Sequence, residues 1–277
     1  MELTLREIKR NARRLMKSAQ KPKPLTVALV FTLITAAASF FLGRIGGATA
    51  VIDNARLEEL NRMMQAGQLP SFAEYAQAVE IRQPKSDSMS SLLELALQLV
   101  SVIVTAGFSL YALRVVRGLG GELGNLLDGF AQFYRVTIVY LLQALFIMLG
   151  LFCFVVPGIL LFYSYRMATY LLWDHPDWSP LQCLRASRLL MHGRRGKIFA
   201  MDMSFLLWLI LGGIPFSVAG YCLDYELYGS MLCALAAGCA LSAFVSLYRE
   251  LTLSLWYNTV LNLMKEKETE VKPPWET

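Results

Sequence analysis

VTIVYLLQALFIMLGLFCFVVPGILLFYSY, residues 136–165, runs for thirty residues without a charge. A short basic segment follows, and another apolar run begins at Met203. About 20 apolar residues suffice to cross the ~30 Å hydrocarbon core of a bilayer. Thirty are too many for one straight span, and a soluble core has no use for them. Pro157-Gly158 divides the run: Pro cannot continue the backbone ladder, and Gly allows a tight reversal. The stretch therefore reads as two membrane helices, 136–156 and 158–173, joined as a hairpin at Pro157 and Gly158.

Outward from this hairpin, four more apolar runs stand at 24–43, 92–113, 198–221 and about 230–262. The composition agrees with this reading. Of the 277 residues, 56% are hydrophobic and 17% charged, where soluble domains carry about 25% charged residues. Mean hydropathy is +0.46. A single membrane domain, 1–277, accounts for the whole length. Five Cys lack metal-ligand spacing, and two His are too few for a His-based site, so neither a metal nor another cofactor is expected. Gly118, Gly120, Gly121 and Gly124 lack the Gly-x-x-x-x-Gly-Lys pattern of a phosphate loop. No nucleic-acid partner is expected.

Lys and Arg placement sets orientation, because cytoplasmic loops are enriched in them. With the hairpin, nineteen of the 26 lie on one side: in 1–23, 114–135, 174–197 and the tail 265–277. The 44–91 loop carries five against six acids, and 220–229 carries none. A single kinked span would instead put Arg185, Arg188, Arg194, Arg195 and Lys197 outside. The expected fold is an all-α polytopic membrane helix bundle. It has six transmembrane helices, N- and C-termini cytoplasmic, and amphipathic interfacial helices besides. The first run is read as an uncleaved span, since its apolar length exceeds the 7–15 residues typical of a signal peptide.

The segments between spans carry their own patterns. In 1–23, Leu5, Ile8, Ala12, Leu15, Met16 and Ala19 recur at helical spacing. Arg6, Lys9, Arg10, Arg13, Arg14 and Lys17 take the other face and are expected to contact an anionic lipid surface. In 114–135, Leu123, Leu126, Leu127, Phe130, Phe133 and Tyr134 predict a short interfacial helix. Within the cytoplasmic basic segment 174–197, Ser179-Pro180-Leu181-Gln182 reads as a capped helix start. His175-Pro176-Asp177 before it reads as a turn. The external loop 44–91 predicts short helices at 53–67 and 72–79.

Charges inside apolar runs are functional candidates, because each costs ~2.5–3.5 kcal/mol at mid-bilayer. Arg166, Asp202, Arg249 and Glu250 form the candidate intramembrane polar site. Two readings stand: a snorkelling Arg with an interfacial acid, or a buried Arg166–Glu250 pair lining a polar cavity. The register of the last span decides the depth of Arg249 and Glu250: mid-membrane for 240–260, interfacial for 227–248. Cys222 and Cys233 flank an outer loop and are open to either a disulfide or a role as small apolar filler.

The residues also carry a likeness. The chain resembles the bacterial integral membrane family catalogued as domain of unknown function 975. The likeness starts at Leu5-Arg6-Glu7-Ile8-Lys9, Ala12 and Leu15. It continues through Gly107, Tyr111, Leu113, Arg117-Gly118 and Phe130. It is strongest at Val156-Pro157-Gly158-Ile159, Tyr165, Met167, Ala168 and Tyr170. Ser187, Leu190-Met191-His192-Gly193, Phe199, Ser204-Phe205 and Trp208 follow, and Trp256-Tyr257 and Leu261 close it. The chain departs where the family has Pro-Tyr and it has Leu247-Tyr248, and 222–237 is longer than usual. The resemblance implies an all-helical bacterial protein of the cell membrane, with no activity or catalytic residues to carry over.

Three functional classes are weighed. A non-catalytic membrane protein would assist, scaffold or regulate a membrane-protein partner, with anionic lipid at its cytoplasmic face. A small-solute transporter or lipid-handling protein would use a polar cavity near Arg166. An intramembrane enzyme would need an acid pair, a Ser–Lys or Ser–His pair, or clustered His. Asp202 and Ser204 have no such partner in the sequence, so no catalytic residues are expected.

Overall fold

A computed structural model of the chain describes residues 4–17, 23–46, 49–52, 54–66, 79–82, 88–224 and 227–271. The described elements are α1 Leu5–Met16, α2 Pro24–Gly46, β1 Thr49–Ile52, α3 Asn54–Gln65, β2 Val79–Arg82 and α4 Ser88–Val116. A 3₁₀ turn, Leu123–Leu126, and α5 Asp128–Ala131 come next. Then follow α6 Phe133–Cys153, α7 Val155–Ser164, α8 Ala168–Asp174, α9 Pro180–Leu190, α10 Arg195–Asp224 and α11 Tyr228–Val271. Contacts divide the chain into a small unit, Ala37–Val100, and a large one, Met1–Ala36 with Ser101–Thr277.

In the small unit β1 and β2 pair antiparallel, with Thr49 opposite Arg82 and Ile52 opposite Val79. The expected all-α class stands, and this short ribbon is an addition to it that was not read from the sequence, although Val79-Glu80-Ile81-Arg82 alternates with period two. The helix expected at 53–67 is found as α3. The helix expected at 72–79 lies outside the described residues, except for Val79, which begins β2.

Among the described residues, five helical stretches are long and apolar enough to cross a membrane: Met89–Val116, Phe133–Cys153, Val155–Asp174, Arg195–Ala219 and Tyr228–Met264. The first expected run lies in α2, whose shorter apolar part is Pro24–Ser39. The large unit is thus built from membrane-length helices, and its burial is uneven along them. On α11, Tyr228, Leu232 and Phe244 are exposed, as is Leu227 just before it. From Val245 onward the same helix is buried at Leu247, Tyr248, Leu251, Leu253, Trp256, Tyr257 and Val260. The α6–α7 pair is exposed at Leu141, Leu145, Met148, Phe152, Phe154 and Val156, while Met167, Ala168 and Leu172 in and before α8 have no accessible surface. Apolar surface of this extent needs a non-aqueous neighbour.

The reversal expected at Pro157 and Gly158 falls three residues earlier. Phe154 is the extended cap residue, at φ −165° and ψ 156°, and Pro157 and Gly158 lie in the first turn and a half of α7. Pro is harmless there, since the first N–H groups of a helix have no intrahelical partner. Gly158 serves close packing instead of a turn. A Cβ on it would stand 2.5 Å from the Leu151 side chain and 2.9 Å from the Leu151 nitrogen. A Cβ on Gly150 would stand 3.0 Å from Gly158 Cα. The two helices run back along each other, Gln143 Nε2 donating to the Tyr165 carbonyl at 3.0 Å.

The 117–132 connection is not one amphipathic helix. It folds back along α4 as the 3₁₀ turn and α5, and Phe133 and Tyr134 already begin α6. Two glycines permit this. A Cβ on Gly107 would meet the Leu126 carbonyl oxygen at 2.3 Å, and one on Gly129 the Ile103 carbonyl oxygen at 2.4 Å. Leu126 is buried, whereas Leu123, Leu127, Phe130, Phe133 and Tyr134 stay exposed.

Candidate functional site

The second half of the hairpin is a broken helix. Helical structure stops at Ser164 and resumes at Ala168, leaving Tyr165-Arg166-Met167 between α7 and α8. This corrects the single helix expected over 158–173. Neither Pro nor Gly causes the break. Ser187, fully buried on α9, satisfies it: its Oγ donates to the Ser164 carbonyl at 2.8 Å and accepts from the Met167 N–H at 3.2 Å. Capping by Ser179 and Gln182, as read from the sequence, starts the helix that brings Ser187 there. Irregular backbone within an apolar span is tolerated where protein or a cavity lines it.

Arg166 sits in this break. Its Nη2 stands 3.8 Å from Asp202 Oδ1, a loose ion pair, and its guanidinium lies 5.4 Å from the Phe162 ring centroid. Arg166 Nε and Asp202 Oδ1 are buried without a hydrogen-bond partner. The Arg166–Glu250 pair read as one alternative is therefore replaced. Glu250 accepts instead from the Tyr170 hydroxyl at 2.6 Å, because Tyr170, four residues beyond Arg166, reaches α11 first. Arg166, Arg249 and Glu250 still border one cavity of about 300 Å³, together with Tyr140, Gln143 and Thr169. Asp202 does not border this cavity and pairs with Arg166, which does. Tyr140 and Gln143 escaped the sequence reading, and Tyr170 and Ser187 entered it only through the family resemblance, without a role. Only polar residues at helical spacing within apolar runs could have flagged them.

The cations of α1 divide between protein and solvent. Lys9 Nζ donates to Ser204 Oγ and lies 4.8 Å from the Phe205 ring centroid. Arg13 Nε donates to the Tyr248 hydroxyl at 3.0 Å, with its guanidinium 5.5 Å from that ring. Burial, with Arg13 adding to it, pushes the Lys9 ammonium below its ordinary pKa. Arg6, Arg10, Arg14 and Lys17 are exposed. All six border one shallow depression of about 400 Å³. The seat of α1 is the Ile8–Ala12 face, both residues having 1% or less of their surface accessible. A Thr4–Glu7 capping box starts the helix.

A second polar cluster, given no role by the sequence reading, joins the end of α4 to α8 and α11. Arg117 grips Asp174 with two bonds, 2.6 and 2.7 Å, and also donates to Asn258 Oδ1 at 3.1 Å. Tyr257 hydroxyl donates to Asp174 at 2.6 Å. The Asp174 hydrogen bonds hold the Arg117 pKa above its ordinary value. Both charges abut span ends, the one signal that pointed to them. Cys222 and Cys233 are free thiols. Among the described residues, no three His, Cys, Asp or Glu gather to hold a metal ion.

Together the exposed apolar helices and the polar break within them define a helical protein compatible with a membrane. Residues 151–264 match the family described as "Protein of unknown function (DUF975)", the family that the sequence resembles. The match takes in α7 through most of α11, and with them the break, Ser187, Asp202 and Glu250. No curated protein and no solved structure matches the chain.

Proposed function

We propose that this is a multi-pass protein of the bacterial cytoplasmic membrane, non-catalytic, which holds a partner on its cationic cytoplasmic end. Six helices enter the membrane and both termini are cytoplasmic. The partner is a membrane protein, and anionic lipid covers the same face. The observation that carries the reading is the coincidence of two boundaries. The switch from exposed to buried on α11 falls at Val245–Tyr248, where Arg13 of the cationic α1 also docks. The last span is then 227–248, and Arg249 and Glu250 stand at the cytoplasmic boundary.

A Cys placed in the 272–277 tail tests the orientation. An impermeant maleimide should label it in inside-out vesicles and not in right-side-out ones; the reverse pattern refutes cytoplasmic termini. For the role, purification in mild detergent should retain a stoichiometric membrane-protein partner that Arg10→Glu with Arg14→Glu releases. A chain that purifies alone from its native membrane at every detergent strength speaks against it.

A second reading follows from the cavity itself. Broken helices often mark substrate sites in transporters, and this one faces about 300 Å³ bordered by Arg166, Arg249 and Glu250. In this reading the protein moves a small solute or a lipid headgroup. Flux in proteoliposomes that Arg166→Ala leaves unchanged would remove it.

A further inference from the structure

We propose that the groove between the α6–α7 hairpin and α9 seats one anionic phospholipid of the cytoplasmic leaflet. Its phosphate lies on Arg185 and Arg188, and an acyl chain runs up the hairpin. The proposal rests on the cytoplasmic orientation argued above.

The groove holds about 550 Å³. Phe146, Leu149, Gly150 and Leu161 line it from the hairpin, and Leu181 and Leu184 from α9. Cys153 and Pro157 border its far end, and Arg185 and Arg188 also line it. These walls suit a hydrocarbon chain, and the two guanidiniums suit a phosphate, which Arg recognises by paired N–H donors. Arg185 and Arg188 are exposed and lie three residues apart on one helix face. Neither makes an ion pair among the described residues. Neighbouring cations are already matched: Arg117 by Asp174, Arg166 by Asp202, and Arg135 by the His175 and Trp178 carbonyls. Two adjacent unmatched guanidiniums repel each other until an anion comes between them.

Depth fits a single leaflet. Arg166–Asp202 and Tyr170–Glu250 mark the polar level, and Ser187, one residue from Arg188, hydrogen-bonds at that level. Above it α7 has ten residues, about 15 Å, which is half of the ~30 Å hydrocarbon thickness. From Asp202, α10 runs 22 residues to Asp224, about 33 Å, a full crossing. The hairpin tip therefore ends near the bilayer midplane, one acyl chain deep. Exposed side chains there are Phe152 (93%), Cys153, Phe154 (77%), Val155 and Val156, without a charged group among them. A charge count cannot separate a leaflet-deep hairpin from a full one, because both return the chain to the same face.

Delipidated full-length protein in detergent is titrated with phosphatidylglycerol or with phosphatidylcholine of the same chains, and retained lipid is counted by native mass spectrometry. One phosphatidylglycerol per chain should remain at concentrations that leave no phosphatidylcholine. Arg185→Gln with Arg188→Gln should weaken retention tenfold or more, and the corresponding pair of Lys substitutions should largely restore it. Arg10→Gln with Arg14→Gln should keep the adduct. Equal retention of both lipids, or an adduct lost with the α1 pair and kept with the α9 pair, overturns the proposal. Should the Gln pair fail to fold, the unaltered chain decides. Phosphatidylglycerol must slow maleimide labelling of Cys153 severalfold more than phosphatidylcholine does, and equal rates overturn the proposal. Tail labelling on the wrong side would refute the orientation while leaving these detergent results standing.

Discussion

Ser187 shows how much one hydroxyl can hold. It bridges the Ser164 carbonyl and the Met167 N–H with no surface accessible. Replacing it by Ala strands two buried backbone groups, each costing about 1–3 kcal/mol. Ser187→Ala should lower the unfolding midpoint in detergent by several degrees, while Ser217→Ala, on an exposed stretch of α10, should leave it unchanged. Glu7 offers a pH-dependent contrast. The Thr4 N–H, then the Thr4 hydroxyl, hold its carboxyl below the ordinary range. A lowered folded pKa contributes stability above the unfolded value, about 4.3, and that contribution disappears as pH falls through the folded value. The docking of α1 should therefore weaken below about pH 4 in the natural chain. In Glu7→Gln that pH dependence should be absent, as read by proteolysis at Arg10 or Arg13. The Thr4-x-x-Glu7 spacing has the form of a capping box and was legible in principle, although only Ser179 and Gln182 were read as one. Ser187 was not legible, because no local pattern distinguishes a serine facing a broken helix from one facing solvent.

Elements were legible where chemistry is local and obscure where it is tertiary. Apolar runs and their lengths follow from composition, so the membrane-length helices stood where 92–113, 136–156 and 198–221 placed them, within a few residues. Ser179 and Gln182 announced α9 from four residues. The break at 165–167 left no trace, since Tyr165-Arg166-Met167 is compatible with an unbroken helix and only α9 makes the interruption tolerable. Pro157-Gly158 misled by three residues because the Gly is there for approach to Leu151. Side-chain pairing was the least legible of all: depth alone matched Arg166 to Glu250, and the rotation of α8 gave Glu250 to Tyr170. Glycine approach also yields a test at this scale. Gly107→Ala puts a methyl 2.3 Å from the Leu126 carbonyl oxygen, which is backbone and cannot swing aside. It should cost about 1–3 kcal/mol and raise protease sensitivity within 117–132. Gly124→Ala, with open space around it, should do neither.

At the scale of the large unit, polar and apolar surfaces segregate along the helices. The exposed apolar surfaces of α6, α7, α10 and the first part of α11 contrast with the buried part of α11 from Val245 to Val260. Two tryptophans report on this division. Trp208 on α10 is 47% exposed and Trp256 on α11 is 5% exposed. In vesicles of chain-brominated lipid, Trp208→Phe should remove a large share of the quenchable fluorescence, and Trp256→Phe almost none. Similar losses from both would mean that the exposed belt does not face lipid.

The break between α7 and α8 also has a consequence in time. Ser187 lies 20 residues beyond Met167 and 23 beyond Ser164. During synthesis the α6–α7–α8 hairpin leaves the ribosome before the group that completes it. Until α9 follows, the Ser164 carbonyl and the Met167 N–H of its second arm lack the hydroxyl that joins them in the folded chain. The hairpin is thus not a unit that inserts and is finished. Its native form waits on a later segment, and the pace of chain elongation through 168–190 becomes part of how this protein is built.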